Sequence, residues 1–187
     1  MKMPFVHHLV IAAAALTAAV PALAADPAKE RSEIRAMCDQ ALATLYKEKP
    51  QLKAVVEKSP GYGCFSSFGL SFLIGGAGGR GVVYDRATKK YTYMNMAQAS
   101  GGLDIGIKDY REVLIFRDAS ALNKFISSGW EFSGEMSAAA AADGKGLTAS
   151  KGESIGSPIL VYPMTKTGLS LGVSAGARKY WKDADLN

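Results

Sequence analysis

The stretch Gly61-Tyr62-Gly63-Cys64-Phe65-Ser66-Ser67-Phe68-Gly69-Leu70-Ser71-Phe72-Leu73-Ile74-Gly75-Gly76-Ala77-Gly78-Gly79-Arg80-Gly81-Val82-Val83-Tyr84 decides the fold. Aromatic and β-branched residues alternate there with small and polar ones, which is the texture of strands rather than helices. Working outward, the same texture predicts strands over Tyr62–Ser66, Leu70–Gly75, Gly81–Asp85, Tyr91–Met96, Gly102–Ile107 and Arg111–Phe116. Further strands are expected at Trp130–Ala140, Ile155–Tyr162 and Leu169–Tyr180. Arg86 to Lys90 is a polar turn, and Asp143–Glu153 reads as a loop. Asp118-Ala119-Ser120 caps a short helix to about Ser127, with Leu122, Phe125 and Ile126 facing inward.

Upstream, the period changes. Ile34, Met37, Cys38, Ala41, Leu42 and Leu45 recur at three- and four-residue steps and make residues 28–48 an amphipathic helix. Asp26-Pro27 supplies an N-cap and a proline at the first helical position. A second, short helix is expected over residues 51–58, with Leu52, Val55 and Val56 as its apolar side. Helices first and then eight or nine short strands make an α+β domain. Its expected form is N-terminal amphipathic helices packed on a strongly bent antiparallel sheet, barrel- or sandwich-like, with one inserted short helix. Glycines inside strands permit such bending.

Composition narrows the class. The chain has 187 residues, 48% hydrophobic and 21% charged, with 20 Gly and 2 Cys. It is too apolar for disorder and too poor in cysteine for a disulfide-framework miniprotein. Lys2, the uncharged run Leu9 to Ala19, Pro21 and Ala22-Leu23-Ala24 have the order of a cleaved signal peptide over residues 1–24. Residues 25–187 are then a single domain, periplasmic or secreted and peripheral to a membrane. Cys38 and Cys64 either form a bridge in that oxidising compartment or stand as two separately buried thiols.

Motifs for chemistry fail on context. Gly76-Ala77-Gly78-Gly79-Arg80-Gly81 satisfies G-x-G-x-x-G, but strand material follows it where a dinucleotide site needs a helix N-terminus. It reads instead as a glycine-rich turn or bend in the sheet. G-x-S-x-G occurs around Ser154, Ser170 and Ser174, yet no helical pattern and no histidine follows any of them. Lys166-Thr167-Gly168 lacks its partner motifs and reads as a turn between the last two strands. Both histidines, His7 and His8, lie in the leader, so imidazole-based catalysis and metal binding are excluded after cleavage. Glu131 and Glu135 share one side of a strand and read as solvated acids. No catalytic residue, metal or cofactor is expected.

The net charge of +5 and the placement of basic residues point to anionic surfaces. Lys47, Lys49, Lys53 and Lys58 line the second helix and its approach, and Arg80, Arg86, Lys89 and Lys90 mark the glycine-rich segment and the hairpin tip. These eight are the candidate lipid-binding residues, each worth about 1 kcal/mol beside anionic headgroups. Ordinary solvated lysines are the plainer reading of the same positions.

Three ordered segments resemble the SYLF-domain family. They are Gly61–Tyr84, Met96-Ala97-Gln98-Ala99-Ser100-Gly101-Gly102-Leu103-Asp104-Ile105-Gly106, and Glu112-Val113-Leu114-Ile115-Phe116 followed by a helix and Gly129-Trp130-Glu131. Gly168-Leu169-Ser170-Leu171-Gly172-Val173 also fits. The resemblance implies a non-enzymatic lipid-binding module. For an exported chain it points to peripheral contact with anionic phospholipid membranes, with no nucleic acid and no actin expected. The alternatives are a soluble carrier holding a lipid or fatty acid in an internal cavity, and a protein-binding envelope component.

Overall fold

A computed structural model describes residues 26–72, 76–99, 110–132, 158–165, 168–169 and 178–187. The leader, the Gly102–Ile107 strand, the Asp143–Glu153 loop and the three G-x-S-x-G serines lie outside the described residues.

The chain opens with α1 (Pro27–Glu48), whose first turn is capped by the Asp26 carboxylate accepting from Ala28 N at 2.9 Å. Ile34, Cys38, Ala41, Leu42 and Leu45 are its buried stripe, as their spacing requires. Helix α2 (Leu52–Lys58) follows after Pro50 and leans on α1. It buries Leu52 and Val56, while Val55, expected on the apolar side, is 41% exposed. Two turns offer the protein one narrow seam, and Val55 falls beside it.

The strands are β1 (Gly61–Phe72), β2 (Gly76–Asp85), β3 (Lys90–Ala99) and β4 (Arg111–Phe116). After helix α3 (Ala119–Ser128) come β5 (Trp130–Phe132), β6 (Ile159–Thr165), β7 (Gly168–Leu169) and β8 (Arg178–Lys182). All pair antiparallel in one eight-stranded sheet of order β5-β8-β3-β2-β1-β4-β6-β7. The expected α+β class holds, with the sheet curled almost to a barrel. Three details differ from the sequence expectation: the first is that Leu169–Tyr180, expected as one strand, contributes to both β7 and β8, which lie toward opposite edges of the sheet. Tyr62–Ser66 and the described part of the second expected strand, Leu70 to Phe72, merge into the long β1, with a register shift between Phe68 and Phe72. Gly76–Gly81, expected as a turn or bend, is the first half of β2, because β1 and β3 pair with it on both sides.

Alternation along the strands creates two cores. On the outer face Cys64, Val82, Tyr93, Val113, Ile115 and Tyr162 meet the α1 stripe. On the inner face Phe65, Val83, Met94, Met96, Leu114, Phe116 and Tyr180 surround Ala121, Leu122 and Phe125 of α3. Phe125 is the hub, its ring 5.1 Å from Phe116, 5.1 Å from Tyr180 and 6.1 Å from Phe65. Gly81 faces Phe65 in register, and a Cβ there would collide with the Phe65 ring and the Cys64 carbonyl. The glycine string therefore makes room for an aromatic ring inside a tight curl.

A disulfide joins Cys38 of α1 to Cys64 of β1, with Cα atoms 5.1 Å apart. It binds helix to sheet across the outer core.

Cys38→Ser should lower stability by about 2–4 kcal/mol, read as a reduced urea midpoint, with reduction of the native chain giving a similar loss. Gly81→Val should cost more than about 2 kcal/mol through overpacking, whereas Gly78→Ala, with nothing within 4 Å of its added Cβ, should stay within about 0.5 kcal/mol. Equal midpoints for the two glycine variants would contradict the packing assigned to β2.

Candidate functional site: a basic corner, an aromatic row and a buried ionic tie

The eight basic candidates divide by what they touch. Lys47 in the last turn of α1 and Lys53 and Lys58 on α2 are exposed at the corner where the two helices meet, as is Val55. Lys49 is half-buried, its ammonium 5.4 Å from the Tyr162 ring centroid. Arg80 is turned inward: it pairs with Glu30 of α1, and its Nε lies 3.6 Å from Asp183. Arg86 donates to the carbonyls of Val56 at 2.8 Å and Ser59 at 3.0 Å, capping the end of α2. Lys89 and Lys90 are exposed at the β2–β3 turn, where Asp85 accepts from Ala87 N and Thr88 Oγ1. Lys47, Lys53 and Lys58 thus share the helical corner, and Arg86 ties the Lys89–Lys90 turn to the Lys58 end of it. Arg80 stands apart.

The sequence reading did not single out two further constellations. Tyr62, Tyr84 and Tyr91 are neighbours in register across β1, β2 and β3, with ring centroids 5.3 and 5.0 Å apart. The Arg86 guanidinium lies 6.0 Å from the Tyr84 ring centroid, and that of Arg35 lies 5.9 Å from the Tyr91 centroid. Their common position before or after a turn was the available signal. Burial, followed by the charges of neighbouring groups, raises the Tyr62 pKa, and Tyr46 nearby is raised by burial and by Glu57.

The second constellation is inside. Glu112 of β4 is fully buried and accepts from the Tyr110 hydroxyl at 2.6 Å, from the Tyr180 hydroxyl, and from Arg178 Nη1 at 3.1 Å. Arg178 also stacks on Tyr110, 5.2 Å from its centroid. Burial pulls the Arg178 pKa down, but Glu112 and the two tyrosines leave it raised overall. Burial and the Glu112 charge push Tyr180 well up, so it remains a donor. The signal for this tie was a carboxylate within the apolar run 112–116.

Among the described residues no group of three or more His, Cys, Asp or Glu is placed to hold a metal ion. No helix among them is long and apolar enough to cross a membrane. Glu131 is exposed and faces Lys179 in register; Glu135 lies outside the described residues. The exposed lysines and the tyrosine row present contact surface.

All four members of the buried tie fall within residues 97–187, the span that matches the family model described as Ysc84, Las17-binding protein actin regulator. The match to this Ysc84/SYLF-domain family model is partial, covering just under half of the chain. It is also 35% identical over 160 residues to Beta cell expansion factor A of Aeromonas veronii, covering 85% of this chain and 60% of that protein. The SYLF match supports a general non-enzymatic role in binding protein or lipid surfaces. It also corrects one expectation. The reading that no actin partner is expected is overturned, because the matching SYLF family model is itself described as an actin regulator.

Glu112→Ala should cost about 3–5 kcal/mol, because it strands a buried guanidinium. The paired change Glu112→Leu with Arg178→Met should cost less than either single change, measured by urea denaturation as a double-mutant cycle. In alkali, the folded state holds the Tyr62 and Tyr180 protons that the unfolded state releases near the ordinary tyrosine pKa of 10.0. Stability is therefore intact below about pH 10 and falls as pH rises beyond it. Ultraviolet titration should show these phenols ionising only together with unfolding.

Proposed function

We propose that this chain is an exported, non-catalytic binding protein that engages a protein partner through the corner built by α1 and α2. The observation that carries the reading is the exposure of Lys47 at the end of α1 and of Lys53, Val55 and Lys58 on α2, a short helix that buries only Leu52 and Val56. The match to a family model described as a Las17-binding protein actin regulator supports a protein as the partner, with actin one candidate to test. The chain spans 60% of the length of Beta cell expansion factor A, and what the rest of such a protein does stays with that protein.

The same corner supports a second reading, peripheral binding to anionic phospholipid, because exposed lysines and an exposed valine suit a headgroup layer as well. In that reading Lys49, Lys89 and Lys90 extend the contact, with Arg80 and Arg86 holding the surface in shape. An enclosed lipid is less well supported: among the described residues the concave face is filled by Phe65, Phe116, Phe125 and Tyr180. Export takes residues 1–24 as a cleaved leader and residues 25–187 as one domain, which N-terminal sequencing of the mature chain checks.

The deciding experiment compares the native chain with the K47E/K53E/K58E variant in crosslinking before and after delipidation, in actin co-sedimentation, and in flotation with neutral and acidic vesicles. The expected outcome is a protein contact that survives delipidation and is lost in the variant. Loss confined to acidic vesicles selects the lipid reading, and an unchanged variant in all three assays removes the corner from the function.

A further inference from the structure

Beside the tyrosine row, α1 leaves an open cleft of 340 Å³. Tyr62 and Tyr91 wall it, buried Cys38 is at its base, and Ser32, Arg35 and Asp39 line it from the helix. That volume lies within the range of small-molecule sites, which combine apolar walls with a few placed polar groups. Arg35 is exposed, and among the described residues it makes no ion pair with a carboxylate. Its stacking on Tyr91 holds the planar guanidinium beside the opening.

We propose that this cleft is a saccharide site for a sugar carrying one carboxylate. A pyranose has an apolar C–H face and a rim of hydroxyls. The tyrosine rings receive the face, as aromatic side chains do for flat apolar surfaces. Ser32 and Asp39 offer an alcohol and a carboxylate to the hydroxyls, and the Arg35 fork takes the sugar carboxylate in a charge-assisted pair. The Tyr62 hydroxyl, with its pKa raised by burial, stays a donor at neutral pH. An acyl chain is a poor fit, since Ala36 and Cys38 are the aliphatic lining. A polyphosphate needs more positive charge than Arg35 supplies, and Arg86 is engaged by Val56 and Ser59. This site is separate from the α1–α2 corner and does not rest on the protein-binding reading.

The test titrates the full chain at constant ionic strength with glucuronate, galacturonate and N-acetylmuramate, and in parallel with methyl glucoside, acetate and a proline-rich peptide, following tyrosine ring resonances by NMR. At least one acidic sugar should shift the Tyr62 and Tyr91 rings saturably, with methyl glucoside binding about tenfold more weakly. Arg35→Gln and Tyr91→Ala should each weaken the acidic sugar about tenfold, while Tyr91→Phe keeps its affinity within about twofold. Both side chains are exposed, so an unchanged thermal midpoint certifies the fold of each variant. The proposal is overturned if none of the acidic sugars gives a saturable shift, or if acetate reproduces it, which would mean an adventitious ion only. It is equally overturned if the peptide alone moves the rings, or if Arg35→Gln and Tyr91→Ala leave the sugar affinity unchanged.

Discussion

Glu112 and Arg178 lie on strands separated by three others, since the order runs β8-β3-β2-β1-β4. In a flat sheet β8 and β4 would be about 19 Å apart, farther than the two side chains reach together. Their contact at 3.1 Å therefore requires the sheet to curl until its two flanks face each other. Everything inside follows from that closure. Phe65 must sit over a glycine, α3 fills the remaining space, and Tyr110 and Tyr180 satisfy the carboxylate that the curl has taken out of water. Such a tie is costly to desolvate, and its value lies in fixing which flanks meet. A lysine in place of Arg178 would lose both the fork and the stacking on Tyr110.

A filled concave side pushes recognition outward. The helical corner and the aromatic row occupy different parts of the outer surface, one carrying exposed lysines and a valine and the other tyrosines beside Arg35 and Arg86. The family model spans residues 97–187, hence the buried tie, whereas the corner and the row lie before it, between residues 32 and 91. The family-model span therefore carries the tie, and the surfaces proposed for contact sit on the part of the chain that precedes it.

Periodicity made the frame readable. The α1 stripe, the Asp118 cap of α3 and strand β4 at Arg111–Phe116 follow from local pattern: one buried face spaces the stripe, a side-chain acceptor marks the cap, and a short apolar run buried on both faces marks the strand. Gly76–Gly81 was harder: glycine runs look like turns until the neighbouring strand is known to carry a phenylalanine at the opposing position. Charge was harder still. Arg80 and Arg86 resemble the surface lysines in sequence, yet one closes ion pairs with Glu30 and Asp183 and the other caps carbonyls at the end of α2. Pairings between residues tens of positions apart leave no local trace, which is also why the Glu112 network and the tyrosine row went unread.

The staple between Cys38 and Cys64 falls near the middle of the 22-residue α1. Pinned there, the helix can rock about a fulcrum but cannot lift away from the strands. The gap between Arg35 and Tyr91 opens less than one turn from that fulcrum, where rocking produces the least displacement. Its aperture is therefore set covalently, and a guest entering it meets walls already at their final separation.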